Sequence, residues 1–206
     1  MNKVFFDVAL SLDGFMAGEN RGPKNPLGDD GPSIHNWMFA QKAFWDYHGK
    51  DAGEDSGRDG RLIDNTFARA GSCIMGKRMF EEGEANWPED LFKTDVYVLT
   101  HEKREPWIQK GTTAFYFIND GIESALAKAK KSAANKDVRI SGGAETIQQF
   151  LNAGLIGEFT IHFSPVLLES GLRLFEKIKK NRFIFEIDEV VESDLSTHIK
   201  YKVINK

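Results

Sequence analysis

Apolar residues along the chain fall into short runs separated by amphipathic stretches, the pattern of strands alternating with helices. Residues 3–10 place Val4, Phe5, Phe6, Val8 and Leu10 around a single Asp7 and stop at Ser11 and the Asp13-Gly14 pair, which predicts a strand closed by a turn. The same signals predict strands at 72–75, 96–100, 114–118, 138–140 and 159–163. Between them, Ile122, Leu126 and Ala129 share one face of a helix, and Ile147, Phe150 and Leu151 share a face of another. Such alternation predicts an α/β fold with a mostly parallel sheet covered on both faces. The end of the chain differs. Residues 183–193 and 197–204 flank a short turn around Asp194-Leu195 and predict an antiparallel hairpin, which makes the sheet mixed.

One stretch interrupts this order. Residues 18–60 are rich in Gly, Pro and Asp at both ends, so 18–32 and 49–60 are predicted loops, while Trp37, Phe39, Phe44, Trp45 and Tyr47 in the middle have spacings that suit a short helix. The stretch is an insert within a single domain spanning 1–206. Its aromatics have two uses open to them: packing the insert onto the body of the domain, or closing over a flat ligand as a lid.

Charge narrows the function. The 27 Lys and Arg against 31 Asp and Glu are interspersed without a basic block, which argues against a nucleic-acid surface. The lone Cys73 sits in the apolar run Cys73-Ile74-Met75 and reads as an inert core residue. The five histidines lack metal-binding spacing, so no metal is expected. No apolar run is long enough for a secretory signal or a membrane span, which makes the cytoplasm the expected location and a membrane partner unexpected.

Candidate chemistry collects at strand-to-helix junctions. In Val138-Arg139-Ile140-Ser141-Gly142-Gly143-Ala144-Glu145-Thr146, two glycines let backbone approach a ligand, and the following helix start offers free N–H groups to a phosphate. In Gly76-Lys77-Arg78, two cations stand in a first helical turn, where the helix dipole disfavours them unless an anion is bound. The spacing Gly71…Gly76-Lys77 imitates a Walker loop, but Arg78 occupies the place of the magnesium-binding Ser or Thr. A third strand ends in Thr100-His101 with Lys103 and Arg104 just beyond, cations suited to the 2′-phosphate that separates NADP from NAD.

Taken in order, Ser11-Leu12-Asp13-Gly14-Phe15-Met16-Ala17, Met75-Gly76-Lys77-Arg78-Met79-Phe80-Glu81, Val98-Leu99-Thr100-His101, Gly142-Gly143-Ala144, Asn152-Ala153-Gly154-Leu155-Ile156 and Pro165-Val166-Leu167-Leu168 resemble the dihydrofolate-reductase-like family. That family includes the C-terminal reductase domain of bacterial riboflavin biosynthesis, and the chain looks like its stand-alone bacterial branch. The resemblance implies a three-layer α/β/α sandwich and NADPH lying along the strand ends. It also implies hydride transfer to a flat nitrogen heterocycle of pyrimidine or pterin type, as in 5-amino-6-(5-phosphoribosylamino)uracil reductases or dihydrofolate reductases.

Carried over residue by residue, Gly76, Lys77 and Arg78 match the phosphate-contacting helix start. Thr100 and His101 match the adenosine-side strand end, and Gly142, Gly143, Ala144, Glu145 and Thr146 match the pyrophosphate turn. Ser141 stands where riboflavin-pathway reductases commonly carry an acid that helps to hold substrate, and Trp37 matches a Trp soon after the first-strand motif, so both are substrate-binding candidates. Asp13 matches the acid of that motif and is the candidate for orienting substrate or relaying a proton, with a raised pKa expected at a strand end beneath an aromatic lid. A homodimer with the 183–204 hairpin at or near its interface is expected from the family and from the sheet edge such a hairpin leaves exposed. The alternative to an enzyme is a non-catalytic NADP(H)-binding sensor or assembly protein.

Overall fold

The first apolar run becomes β1, Val4–Ser11, in which every residue except Asp7 is buried. A strand buried on both faces belongs inside a parallel sheet. There β1 lies between two parallel neighbours, β7 (Asp137–Gly142) and β8 (Glu158–Ser164). The computed structural model describes residues 2–54, 57–179 and 181–206. The remaining strands are β2 (Phe15–Ala17), β3 (Ala70–Gly76), β4 (Asp95–Leu99), β5 (Trp107–Ile108), β6 (Ala114–Ile118), β9 (Leu172–Arg173), β10 (Phe183–Glu192) and β11 (Thr197–Asn205). Among the described residues, nine of these form one sheet in the order β10-β11-β8-β1-β7-β3-β4-β6-β5, and β2 pairs with β9 outside it. The six strands from β8 to β6 run parallel, whereas β11, β10 and β5 are antiparallel to their neighbours. The expected mixed, mostly parallel sheet with a C-terminal hairpin is therefore the sheet observed.

Period-two alternation sorts each strand between two layers. On one face Phe6, Val8, Ile74 and Ile140 pack with Leu126 and Ala129 of α5 (Ile122–Ala133) and with Ile147, Phe150 and Leu151 of α6 (Ala144–Asn152). On the other face Cys73, Met75, Val96, Val98 and Phe115 pack around Phe80 of α4 (Lys77–Gly83), with Trp87 and Trp107 closing the cluster. Cys73 is buried there, as a core residue.

The insert covers the β8-β1 part of that second face. It holds a 3-10 turn at Gly31–His35, then α1 (Asn36–Phe39) and α2 (Lys42–Tyr47), so the aromatic centre is helical as predicted. The predicted loop at 49–60 is corrected at its end: α3 (Gly57–Arg69) starts inside it, while Asp55 and Ser56 lie outside the described residues. Gly and Asp disguise this helix, because what it buries is Asp59 and Ile63 rather than an apolar stripe.

Candidate active site

A cleft of about 1020 Å³ opens at the carboxyl ends of β3, β4, β6 and β7, where ligands of open α/β sheets bind. Gly76, Lys77 and Arg78 line it at the end of β3, Thr100 and His101 at the end of β4, and Gly142, Gly143, Ala144, Glu145 and Thr146 at the end of β7. Ser141 and Trp37 line it as well. The junctions that the sequence singled out separately thus share one wall.

Packing explains why glycine stands at these turns. A Cβ on Gly76 would come within 2.5 Å of Thr146 Oγ1, so the β3–α4 and β7–α6 junctions touch only because Gly76 has none. Gly142 holds a φ of 130°, a region that disfavours any side chain, and joins Gly143 through a cis peptide. Around Gly143 nothing lies within 4 Å of where a Cβ would be. Ser141 is the extra residue of a bulge between Ile74↔Ile140 and Met75↔Gly142, and its buried hydroxyl has no partner among the described residues. Gly143 caps α6 without a side-chain hydrogen bond, leaving the first N–H groups of that helix facing the cleft.

The cations at this wall differ in their commitments. Lys77 Nζ lies 3.2 Å from Glu81 and 2.6 Å from Glu102, and these two bonds raise its pKa. Arg104, expected to meet a 2′-phosphate, instead pairs with Glu84 and lies over the rings of Phe80 and Phe117 at 5.0 and 4.6 Å. Neither Arg104 nor Lys103 lines the cleft, because that pairing turns the post-β4 segment back onto α4 and its aromatic neighbours.

The floor of the cleft holds groups that sequence reasoning missed. Asp7, Arg139 and His162 project from β1, β7 and β8 onto the face that the insert covers. Arg139 Nε donates to Asp7 Oδ1 at 2.6 Å, and His162 Nε2 stands 4.0 Å from Asp7 Oδ2. Burial pushes the Asp7 carboxyl up, but Arg139 and His162 outweigh it and hold the group below the usual carboxylate range. Behind the floor, His162 Nδ1 meets His198 Nδ1 at 2.7 Å, and His198 Nε2 meets Asp59 Oδ1 at 3.0 Å. Burial above all, and then the nearby His162, push His198 down to about 4 against the pull of Asp59. His35 is pushed to about 4 by the same two causes. The signal that was available is a polar residue in the middle of each apolar strand: Asp7 between Phe6 and Val8, Arg139 between Val138 and Ile140, and His162 between Ile161 and Phe163.

Asp13 lies elsewhere. It does not line the cleft; its carboxylate accepts from Ser11 Oγ at 2.5 Å and from the backbone N–H groups of Leu168 and Glu169 at 3.2 and 2.7 Å. The expected raised pKa is corrected in sign, since the Ser11 hydrogen bond foremost, then those two N–H groups, outweigh burial and lower it. Asp13 pins the β1–β2 turn to the segment after β8.

The aromatics of α2 are half-buried and pack on one another and on α3. Trp45 Nε1 donates to Phe39 O at 2.7 Å, and Tyr47 stacks on Phe67 of α3 at 3.9 Å. Trp37 is 4% exposed and lies 4.5 Å from the His162 ring and 4.8 Å from that of His198, so it is at once core and cleft wall.

Comparison with solved structures confirms the fold class. A Shewanella sp. PV-4 protein assigned to riboflavin biosynthesis matches with a TM-score of 0.66 at 20% identity, over 98% of this chain and 99% of that one. Dihydrofolate reductase from Enterococcus faecalis, solved with NADP(H) and RAB-propyl, matches with a TM-score of 0.56 at 13% identity, over 98% and 96% of the two chains. The architecture is dihydrofolate-reductase-like. Within it, the chain belongs to the RibD C-terminal domain family, whose profile matches residues 2–194. YyaP, an uncharacterized Bacillus subtilis (strain 168) protein, is 27% identical over 185 residues, 86% of this chain and 82% of YyaP. Among the described residues, no helix is long and apolar enough to cross a membrane.

Proposed function

We propose that the chain is an NADPH-dependent reductase that transfers hydride to a pyrimidine-type heterocycle or to an imine or carbonyl carbon attached to it. The observation that carries this reading is the union of a glycine-built phosphate wall and a buried charged floor in one cleft of a RibD C-terminal domain. The wall suits a dinucleotide on physical grounds. Gly143 leaves open space where a phosphate can approach, the α6 N–H groups face it, and the Ser141 hydroxyl lacks a partner that a ligand can supply.

When bound, the dihydronicotinamide supplies the hydride, and the protein supplies alignment, a dry site and a proton. Lys77 and Arg78, which line the cleft at the end of β3, would hold the phosphates, and Thr100 and His101 at the end of β4 would lie on the adenosine side. On the floor, Arg139 offers N–H donors and Asp7 Oδ2 an acceptor, a pair that complements the carbonyl and N–H edge of a uracil-like ring. Trp37 walls the ring in.

The test is NADPH oxidation against pterins, folates, phosphoribosylaminouracil compounds and quinones. Turnover confined to one heterocycle class supports the reading. Tight NADPH binding without turnover on any of them replaces it with a non-catalytic NADP(H)-binding protein. We propose in addition that the chain works as a homodimer.

A further inference from the structure

Resting on the reductase reading, we infer that His162 Nε2 is the cleft's proton-donating atom, and that the buried His198–Asp59 pair behind it acts as a positioning device that fixes which nitrogen carries the exchangeable proton. Asp59 is buried, and its Oδ1 faces His198 Nε2 at 3.0 Å, so the favoured arrangement has a proton on that nitrogen. A neutral His198 then has a bare Nδ1. The 2.7 Å contact between the two Nδ1 atoms holds one proton, which must come from His162. With Nδ1 occupied at all times, His162 can gain or lose a proton only at Nε2, the nitrogen turned toward Asp7 Oδ2 at the cleft floor.

His162 sits among charged and titratable groups that come from several elements. Facing it are the Asp7 carboxylate on β1, with Arg139 of β7 bonded to the far oxygen, His198 of β11 and, through it, Asp59 of α3. His35 of the 3-10 turn and the Trp37 ring of α1 complete the shell, and both neighbouring histidines stay neutral above about pH 4. The balance of the step is simple. Hydride adds to the carbon of a C=N or C=O bond, the π pair moves to nitrogen or oxygen, and that atom takes the Nε2 proton. The nicotinamide ring is oxidised, and neutral His162 regains its proton from water.

Two variants separate this role from a structural one. His162→Gln removes the donor and should lower kcat about 100-fold with the NADPH Kd unchanged. Asp59→Asn leaves the cleft atoms in place but presents an amide N–H to His198 Nε2. The proton then shifts to His198 Nδ1, and His162 becomes a neutral Nε2–H tautomer. It should lower kcat about tenfold with KM unchanged. The assays use 5-amino-6-(5-phosphoribosylamino)uracil and dihydrofolate as probes, beside nitrogen-15 NMR of histidine-labelled protein.

In wild-type spectra His162 should carry its proton on Nδ1, and Asp59→Asn should move that proton to Nε2. A His162 that loses its Nδ1 proton, spectra indifferent to Asp59→Asn, or a His162→Gln enzyme with wild-type kcat and pH profile would overturn the inference. A wild type that turns over neither probe but shows the expected spectra counts against the reductase reading, while the proton's place stands.

Discussion

Arg139 and Asp7 lie 132 positions apart in the chain and 2.6 Å apart in the fold, joining two neighbouring strands through a charge pair at the floor of the cleft. Their side chains are 22% and 10% exposed, so neither charge has much water to fall back on. Removing one partner of such a pair strands the other, which costs more than the pair itself contributes.

Asp7→Asn is therefore expected to lower stability by about 3 kcal/mol near neutral pH, measured by urea denaturation. Because the folded pKa of Asp7 lies below its unfolded value of about 3.8, the stabilisation is present above that pH and is lost as pH falls through the folded value. Wild type and variant should converge in strong acid. A difference that persists there would mean that Asp7 acts by shape rather than by charge.

The neutral histidines set a second pH window. His35 and His198 have folded pKa values pushed from 6.5 to about 4, so the unfolded chain binds more protons than the folded one between those values. Melting temperature should fall by several degrees as pH drops from 6.5 to 4, and less in His198→Gln. A melting temperature flat across this range rules out neutral buried histidines.

These two windows arise from groups that the sequence hid. The strands, the hairpin and the glycine junctions were readable because each rests on neighbours in the chain: alternation, turn residues, a glycine before an amphipathic run. The floor is built from five elements, and its members look like stray polar residues until β8, β1 and β7 lie side by side. Asp59 was obscured further by its own helix, whose Gly57 and Gly60 read as loop. Asp13 shows the opposite failing: a family motif pointed to it, yet local turn bonds absorb its carboxylate.

Asp13→Asn should lower the melting temperature, since the amide cannot serve the Ser11 hydroxyl and two backbone N–H groups as the carboxylate does. NADPH affinity and kcat should stay at wild-type values. A drop in kcat without thermal loss would return Asp13 to the mechanism.

Gly143→Ala separates cofactor space from folding. Its extended backbone, with φ of −74°, suits any residue, and the new methyl meets nothing within 4 Å, so stability should change by no more than about 0.5 kcal/mol. The same methyl would occupy the space proposed for the pyrophosphate, and the NADPH Kd should rise about tenfold or more by fluorescence titration. Unchanged affinity would move the pyrophosphate away from this turn.

Cofactor preference should depend on Lys77 and not on Lys103 or Arg104. The carboxylates that hold Lys77, Glu81 and Glu102, are 51% and 67% exposed, and ion pairs this open to water are weak enough for a phosphate to displace. Lys77→Gln should weaken NADPH about tenfold and NADH far less. The double change Lys103→Gln, Arg104→Gln should move the two affinities alike, because Arg104 is committed to Glu84 and neither residue lines the cleft. Equal loss of NADPH and NADH in Lys77→Gln would place the 2′-phosphate elsewhere.

The last expectation concerns the far edge of the sheet. The outermost strand, β10, exposes Phe185 and Ile187 at 39% and 63%, and Phe183 stacks on Phe185 beside a partly exposed Phe175. An apolar strip of this kind on an edge strand invites association. The register shift between Ile187 and Glu189 interrupts the edge, so a second copy should pack against the phenylalanine face rather than extend the sheet. Light scattering should give twice the 23.2 kDa chain mass at micromolar concentration, and Phe185→Lys should give the single-chain mass with NADPH affinity intact. Such separation is expected because β11, β8 and β1 stand between this edge and the glycine-built wall at β7, β3 and β4. A single-chain mass for the wild type ends the dimer proposal, and a dimer that survives Phe185→Lys places the contact on another face.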